Sequence, residues 1–418
     1  MPARLAALLT PPGATNDARL LVLARSLRGF VDGAVSVLLA SYLTDLGFSP
    51  VQIGLLITGT LLGSAALTLA TGLYAHRLSP RVILLAACAL MLMTGLGFAG
   101  VTAFWPLLVI AVAGTLNPSS GDVSVFLPTE QALLTRTIDD RGRTALFARY
   151  NLAGIFFGAL GALASGLPVA LARRADWDLV DAQRSGFVVY AMAAVLLALV
   201  YRRLSPAVDP EPAASTAGPL STSRALVLRL AALFSVDAFG GGFVVQSLLA
   251  LWLFRRFGLS VETAGALFFA AGLLSATSQL ASAWLAGRIG LIRTMVYSHI
   301  PSNLLLIGAA LAPSAPVAIA LLLGRMALSQ MDVPARQSYV MAMVPPAERA
   351  AAASVTNVPR SLASASAPAI GGVLLSLSSF GWPLVLGGVT KLVYDLLLLA
   401  QFRDKPPQEE LRAASRRA

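Results

Sequence analysis

Cysteine and histidine are nearly missing from this sequence. Cys88 is the single cysteine and lies in an apolar stretch, so neither a disulfide framework nor a cysteine-based metal site can be built. His76 and His299, the only histidines, stand far apart along the chain, and no metal or other cofactor is expected. Charge is scarce too: Asp, Glu, Lys and Arg make up 12% of 418 residues, against 57% hydrophobic ones, and the mean hydropathy is +0.76. So little polar surface cannot clothe soluble domains, so the chain reads as a polytopic membrane protein. No G-x-x-x-x-G-K-[ST] phosphate loop is present, which argues against ATP hydrolysis. Nor does any paired motif carry metal-ligand or nucleophile spacing, so no enzyme is expected. The first seventeen residues include Pro11 and Pro12 and no small-residue cleavage pattern, so no removable signal peptide is read.

A net charge of +11 raises nucleic acid as a partner, but the basic residues are scattered between apolar spans and form no patch with aromatics. Their placement is topological. Apolar runs of about twenty residues predict an all-α chain of twelve transmembrane helices. The first six lie near residues 20–44, 51–72, 82–103, 106–134, 147–170 and 186–202. The second six lie near 226–255, 261–286, 292–312, 315–343, 350–377 and 382–402. Residues 1–17 form an N-terminal segment, 18–203 one six-helix bundle, 204–224 a Pro/Ala/Ser/Thr-rich linker, 225–402 a second bundle and 403–418 a charged tail. Arg and Lys crowd the loops on the side of the termini, with Arg77, Arg81, Arg136, Arg143, Arg202, Arg203 and Arg288 among them. By the positive-inside rule both termini and the linker are cytoplasmic, and the expected location is a bacterial inner membrane.

The halves repeat. Gly47, Ser49, Gly54 and Arg77 recur as Gly258, Ser260, Gly265 and Arg288, and Pro128, Gln131, Arg143, Asn151 and Gly166 recur as Pro334, Gln337, Arg349, Asn357 and Gly372. A parallel repeat of six helices places a substrate site where the halves meet, near mid-membrane.

Two six-helix halves, a long central linker and a basic loop after the second helix together resemble the major facilitator superfamily. That family's loop signature has the form G-x-x-x-D-R-x-G. Here Gly72 and Arg77 match it, while His76 replaces the acid and Ser79 the second glycine. The repeated loop keeps Arg288 and Gly290, with Gly287 at the acid's place. The resemblance implies a secondary transporter fold and makes His76, Arg77 and Arg288 gating-loop residues. A near copy of the family's antiporter ending, Ala367-Pro368-Ala369-Ile370-Gly371-Gly372, falls in helix eleven, where small residues also allow tight helix packing.

What remains is a set of ionisable residues inside apolar spans, each costing about 2.5–3.5 kcal/mol at a membrane helix centre. Helix four carries Asn117-Pro118, Asp122 and Glu130, and the eight-residue spacing puts the two acids on nearly one face. Glu130 has two readings, a pathway residue or a cytoplasmic-edge carboxylate paired with Arg136. Helix ten carries Arg325, Asp332 and Arg336 on one face, with an i, i+4 ion pair available between the last two. Arg336 is also the repeat partner of Glu130, so an ion pair between the halves is a second possibility. Asp32 in helix one, with Arg25 and Arg28 near it, and Asp237 in helix seven are further buried acids. Desolvation favours the neutral form of a carboxylate, which makes Asp32, Glu130 and Asp237 candidates for carrying a proton unless a base neutralises them. Lys391, Tyr394 and Asp395 lie inside helix twelve, and His299, Pro301 and Asn303 form a polar break in helix nine.

The expected function is secondary active transport of a small polar solute by alternating access, with protons as the coupling ion and a monomer as the working unit. Arg325, Arg336 and Lys391 favour anionic or zwitterionic molecules. The rivals are a proton-driven efflux antiporter and a membrane ligand sensor that moves nothing.

Overall fold

The computed structural model describes residues 10–11, 13–74, 78–119, 124–138, 140–206, 222–345 and 348–403. Every regular element among them is an α-helix, as the apolar periodicity predicts. In chain order they are α1 (Asn16–Asp45), α2 (Pro50–Tyr74), α3 (Pro80–Gly100), α4 (Phe104–Ala113), α5 (Phe126–Leu134), α6 (Asp140–Ala164), α7 (Leu167–Ala175) and α8 (Leu179–Arg202). There follow α9 (Arg224–Gly242), α10 (Gln246–Phe257), α11 (Val261–Ile289), α12 (Leu291–Ala310), α13 (Ala315–Ser329), α14 (Asp332–Met343), α15 (Arg349–Leu377) and α16 (Trp382–Phe402).

Among the described residues sixteen helices make up twelve spans, because the fourth, fifth, seventh and tenth are each divided in two, which the sequence reading had continuous. Three of the divisions have a local cause. Gly114 and Asn117-Pro118 follow α4, and Pro118 lacks the N–H that helix continuation requires. Pro168 sits in the first turn of α7, where a missing N–H costs nothing. Three glycines, Gly240 to Gly242, close α9. The Pro118 carbonyl is not left orphaned: it accepts from the backbone N–H of Ser247 at 3.1 Å and from its hydroxyl at 3.0 Å. Eight stretches among the described residues are long and apolar enough to cross a membrane by length and composition. Missing from the eight are the divided α4–α5 span, α1, which carries Arg25, Arg28 and Asp32, α12, which carries His299 and Asn303, and α15.

The chain divides into two compact units. One comprises the described residues up to 206 with Gln246–Phe254 and Gly258–Phe269; the other comprises 222–245, Arg255–Phe257 and 270–403. In the first, α1 packs on α6 and α8, and α3 packs on α8. In the second, α9 packs on α15 and α16, and α12 packs on α16. The order of packing thus repeats, first span on fifth and sixth, third on sixth.

Backbone approach between α1 and α6 depends on glycine. Gly29 and Gly33 face Gly154 and Gly158, and a Cβ on Gly33 would overlap the Gly158 carbonyl oxygen. Small residues four apart on both helices let van der Waals packing replace the hydrophobic drive that lipid cannot supply. In α15, Ala367 is fully buried and its methyl stands 2.7 Å from where a Cβ on Gly242 of α9 would lie. The same tight contact therefore serves the second unit. We expect Gly33→Val to lower the thermal midpoint of the detergent-solubilised protein by the equivalent of at least about 1–3 kcal/mol of overpacking. An unchanged midpoint would show that α1 and α6 can separate without loss.

Candidate functional site

In the first unit the chemistry collects around Glu130, on the short helix α5. Arg28 reaches it from α1, one turn before Asp32, and its Nη2 lies 2.7 Å from Glu130 Oε2, with both side chains buried. The Tyr201 hydroxyl on α8 donates to Glu130 Oε1 at 2.5 Å, and the Tyr150 hydroxyl on α6 donates to Oε2. The Arg28 guanidinium also lies over the Phe126 ring, 4.8 Å from its centroid. Four helices thus meet on one carboxylate. Glu130 is fully buried and its ion pair is with Arg28, whereas Arg136, the expected partner at the cytoplasmic edge, is exposed.

Asp32 stays on the buried side of α1 but Arg28 turns away from it to Glu130. Its side chain takes a hydrogen bond from Asn117, in the segment that follows α4, and no Lys or Arg among the described residues forms an ion pair with it. Asp122, expected beside it, lies outside the described residues, as do His76 and Arg77. Arg288 is described: it stands exposed in the last turn of α11, its guanidinium 4.1 Å from the centroid of the Trp284 ring.

In the second unit the buried charges form one cluster. Asp237 on α9 receives Lys391 Nζ from α16 at 2.6 Å and Arg336 Nη1 from α14 at 3.2 Å. The same Nη1 lies 3.2 Å from Asp332, so the predicted i, i+4 pair exists and is shared with a second carboxylate. Arg336 also lies over a phenylalanine ring, that of Phe234 at 5.6 Å, as Arg28 does over Phe126. Lys391 does not turn to Asp395 one turn away on its own helix. Asp395 instead takes His299 Nδ1 at 2.9 Å and Asn303 Nδ2 at 2.9 Å, both from α12. His299 Nε2 lies 3.9 Å from Asp237, joining the two carboxylates through one ring. Arg325 on α13 is buried close by, its Nη1 against the thioether of Met326 at 3.1 Å and its Nε without a hydrogen-bond partner among the described residues.

Asp237, Asp332, Arg336, Lys391 and Asp395 are therefore in one network, with Arg325 at its border. Sequence reasoning passed over Tyr150 and Tyr201. Each sits near one end of its helix, where a tyrosine ordinarily anchors at a membrane interface, and only their full burial separates them from such anchors.

A buried pair that loses one member leaves an uncompensated charge, at a cost of about 3–5 kcal/mol. We expect Arg28→Met and Glu130→Gln each to destabilise the protein by about that much, and the double variant by much less than their sum. Thermal unfolding of the three variants reads this cycle; additive losses would mean that the pair has no coupling.

The Major Facilitator Superfamily model matches residues 21–329 and 238–417. An uncharacterized membrane protein of Saccharomyces cerevisiae is 26% identical over 423 residues, covering 93% of this chain and 94% of its own. Among solved structures, the nucleoside transporter NupG superposes with a TM-score of 0.71 at 14% identity, over 93% of this chain and 100% of its own. A D-xylose-proton symporter does so with 0.71 at 14%, over 91% and 96%. A bacterial homolog of the human lysosomal transporter Spinster, in an inward-facing conformation, gives 0.67 at 16%, over 94% and 96%. At such identities the likeness to these structures is one of fold.

Proposed function

The chain belongs to the major facilitator superfamily, and from that premise we propose that it is a secondary active transporter of a small polar solute, coupled to protons and working by alternating access. The observation that carries this reading is the buried network of Asp237, Arg336, Asp332, Lys391, His299 and Asp395. Static neutralisation needs one partner per charge. Here α9, α12, α14 and α16 bring six polar groups together, and groups that share partners can exchange them at small cost when a solute or a proton arrives. The two guanidiniums and the ammonium in and beside this network favour a solute with a negative group, an organic anion or a zwitterion. In this reading no chemical step is performed on the solute.

A second reading is export of lipophilic cations in exchange for protons, and Asp32 favours it as a buried carboxylate with no ion-pair partner among the described residues. Under either reading both termini and the segment between α8 and α9 are cytoplasmic and the monomer is the working unit. The yeast relative extends this kind of chain beyond bacteria, so the reading names a multi-pass membrane position and leaves the organism open.

Thermal stabilisation of the purified protein by a panel of organic anions, zwitterions, sugars, nucleosides and lipophilic cations tests the solute class. Binding to the native state alone stabilises by RT ln(1 + [L]/Kd), about 2.7 kcal/mol at a hundredfold excess over Kd. We expect an anion or zwitterion to shift the midpoint, and proteoliposomes to accumulate it under an inward proton gradient and to stop when a protonophore is added. Stabilisation by lipophilic cations alone would transfer the assignment to export. A binder with no flux in vesicles would make the chain a sensor.

A further inference from the structure

Of the buried carboxylates in the second unit, Asp395 differs from the others in its partners. Asp237 touches two permanent cations, Lys391 and Arg336, and Asp332 touches one, Arg336. Among the described residues Asp395 touches no Lys or Arg: it is fully buried, and its oxygens are held by His299 and by the amide of Asn303. Its charge is balanced at contact distance only when the imidazole carries a proton.

We propose that His299 and Asp395 together form a proton-binding site of this chain, read by Asn303. The inference deepens the transporter reading by saying where its coupling proton sits. A neutral imidazole has one N–H, which Asp395 receives from Nδ1. The other nitrogen, Nε2, then carries a lone pair 3.9 Å from Asp237 Oδ1, where an anion gains nothing from it. A proton taken from water onto Nε2 makes the ring a cation, which gives Asp395 a counter-charge at contact distance; no other bond forms or breaks. Asn303 fits either state of the site. Its Nδ2 donates to the ionised carboxylate, and its Oδ1 has no hydrogen-bond partner among the described residues, so a turned amide can accept from a protonated one.

The groups that surround the ring are Asp395, Tyr394 and Lys391 on α16 and Asp237 on α9. Arg336 and Asp332 on α14 stand behind Asp237, and Arg325 on α13 adds a positive charge at the border. Lys391 is committed to Asp237 at 2.6 Å, which keeps its charge off Asp395. The Tyr394 ring stands perpendicular to the imidazole, with centroids 6.1 Å apart. Glu130 makes the opposite case: with Arg28, Tyr150 and Tyr201 all donating to it, a proton there would meet three donors and strand a guanidinium.

With only two histidines in the chain, nitrogen NMR isolates the ring. Histidine-labelled protein in lipid nanodiscs, in a His76→Asn background, carries one imidazole signal, that of His299. We expect both ring nitrogens to move between neutral and imidazolium positions as the pH is taken through about 5 to 8, the range over which an imidazole changes charge. In Asp395→Asn the midpoint should fall by about one pH unit or more, a tenfold loss of proton affinity. Asn303→Leu, which keeps both titrating groups, should move it less. An imidazole that holds one protonation state across that range in the otherwise native chain overturns the proposal with no further variant needed. A midpoint unmoved by Asp395→Asn overturns the pairing. Flux enters neither readout, so a titrating His299 in a chain that moves no solute would defeat the transport reading alone.

Discussion

Charges inside hydrocarbon are tolerable when paired, and here long side chains carry most of the pairing across from one helix to another. Each buried ion costs several kilocalories when alone, and only a well-placed partner with further hydrogen bonds repays that cost. Arg28 and Glu130 therefore tie α1 to α5, and Asp237 ties α9 to both α14 and α16. Small residues act on other helix pairs: Gly29 and Gly33 against Gly154 and Gly158 bring α1 to α6, and Gly242 against Ala367 brings α9 to α15. Polar pairing and small-residue packing thus hold the first span of each unit to different neighbours.

The two halves meet the requirement with opposite signs. Glu130 and Arg336 are repeat partners, 206 positions apart, and Val31-Asp32 recurs as Val236-Asp237. In the first half the base is on the first span and the acid on the second piece of the fourth; in the second half the acid is on the first span and the base on the fourth. Even the ring beneath each arginine recurs in kind, Phe126 under Arg28 and Phe234 under Arg336. The sign is exchanged between the copies, with Arg28 one turn before the place that Asp237 holds in its own half. Each half ties its first span to its fourth in this way, and Asp32, Arg325, His299 and Asp395 stand outside those two ties.

The architecture was legible because hydropathy and repetition are properties of single stretches of chain. Twelve apolar runs and two recurring registers could be read without knowing any contact. The divided helices were half legible: Asn117-Pro118 announced a break, but its cure by Ser247, far along the chain, could not be read. Pairings were the least legible. Arg28 was as well placed for Asp32 as for Glu130, and Lys391 for Asp395 as for Asp237, since one helical turn puts two residues within reach. The choice between local and distant partner depends on which neighbouring helix brings a second donor. Tyr150 and Tyr201 bring it to Glu130, and nothing in their local sequence says so.

Those choices leave the halves different in their pairing. Glu130 has the Arg28 guanidinium and two tyrosine hydroxyls as donors. Because Lys391 prefers Asp237, Asp395 is left to a titratable ring and an amide. The proposed proton site therefore lies on α12 and α16, away from the fourth and tenth spans where the density of charged residues first draws attention.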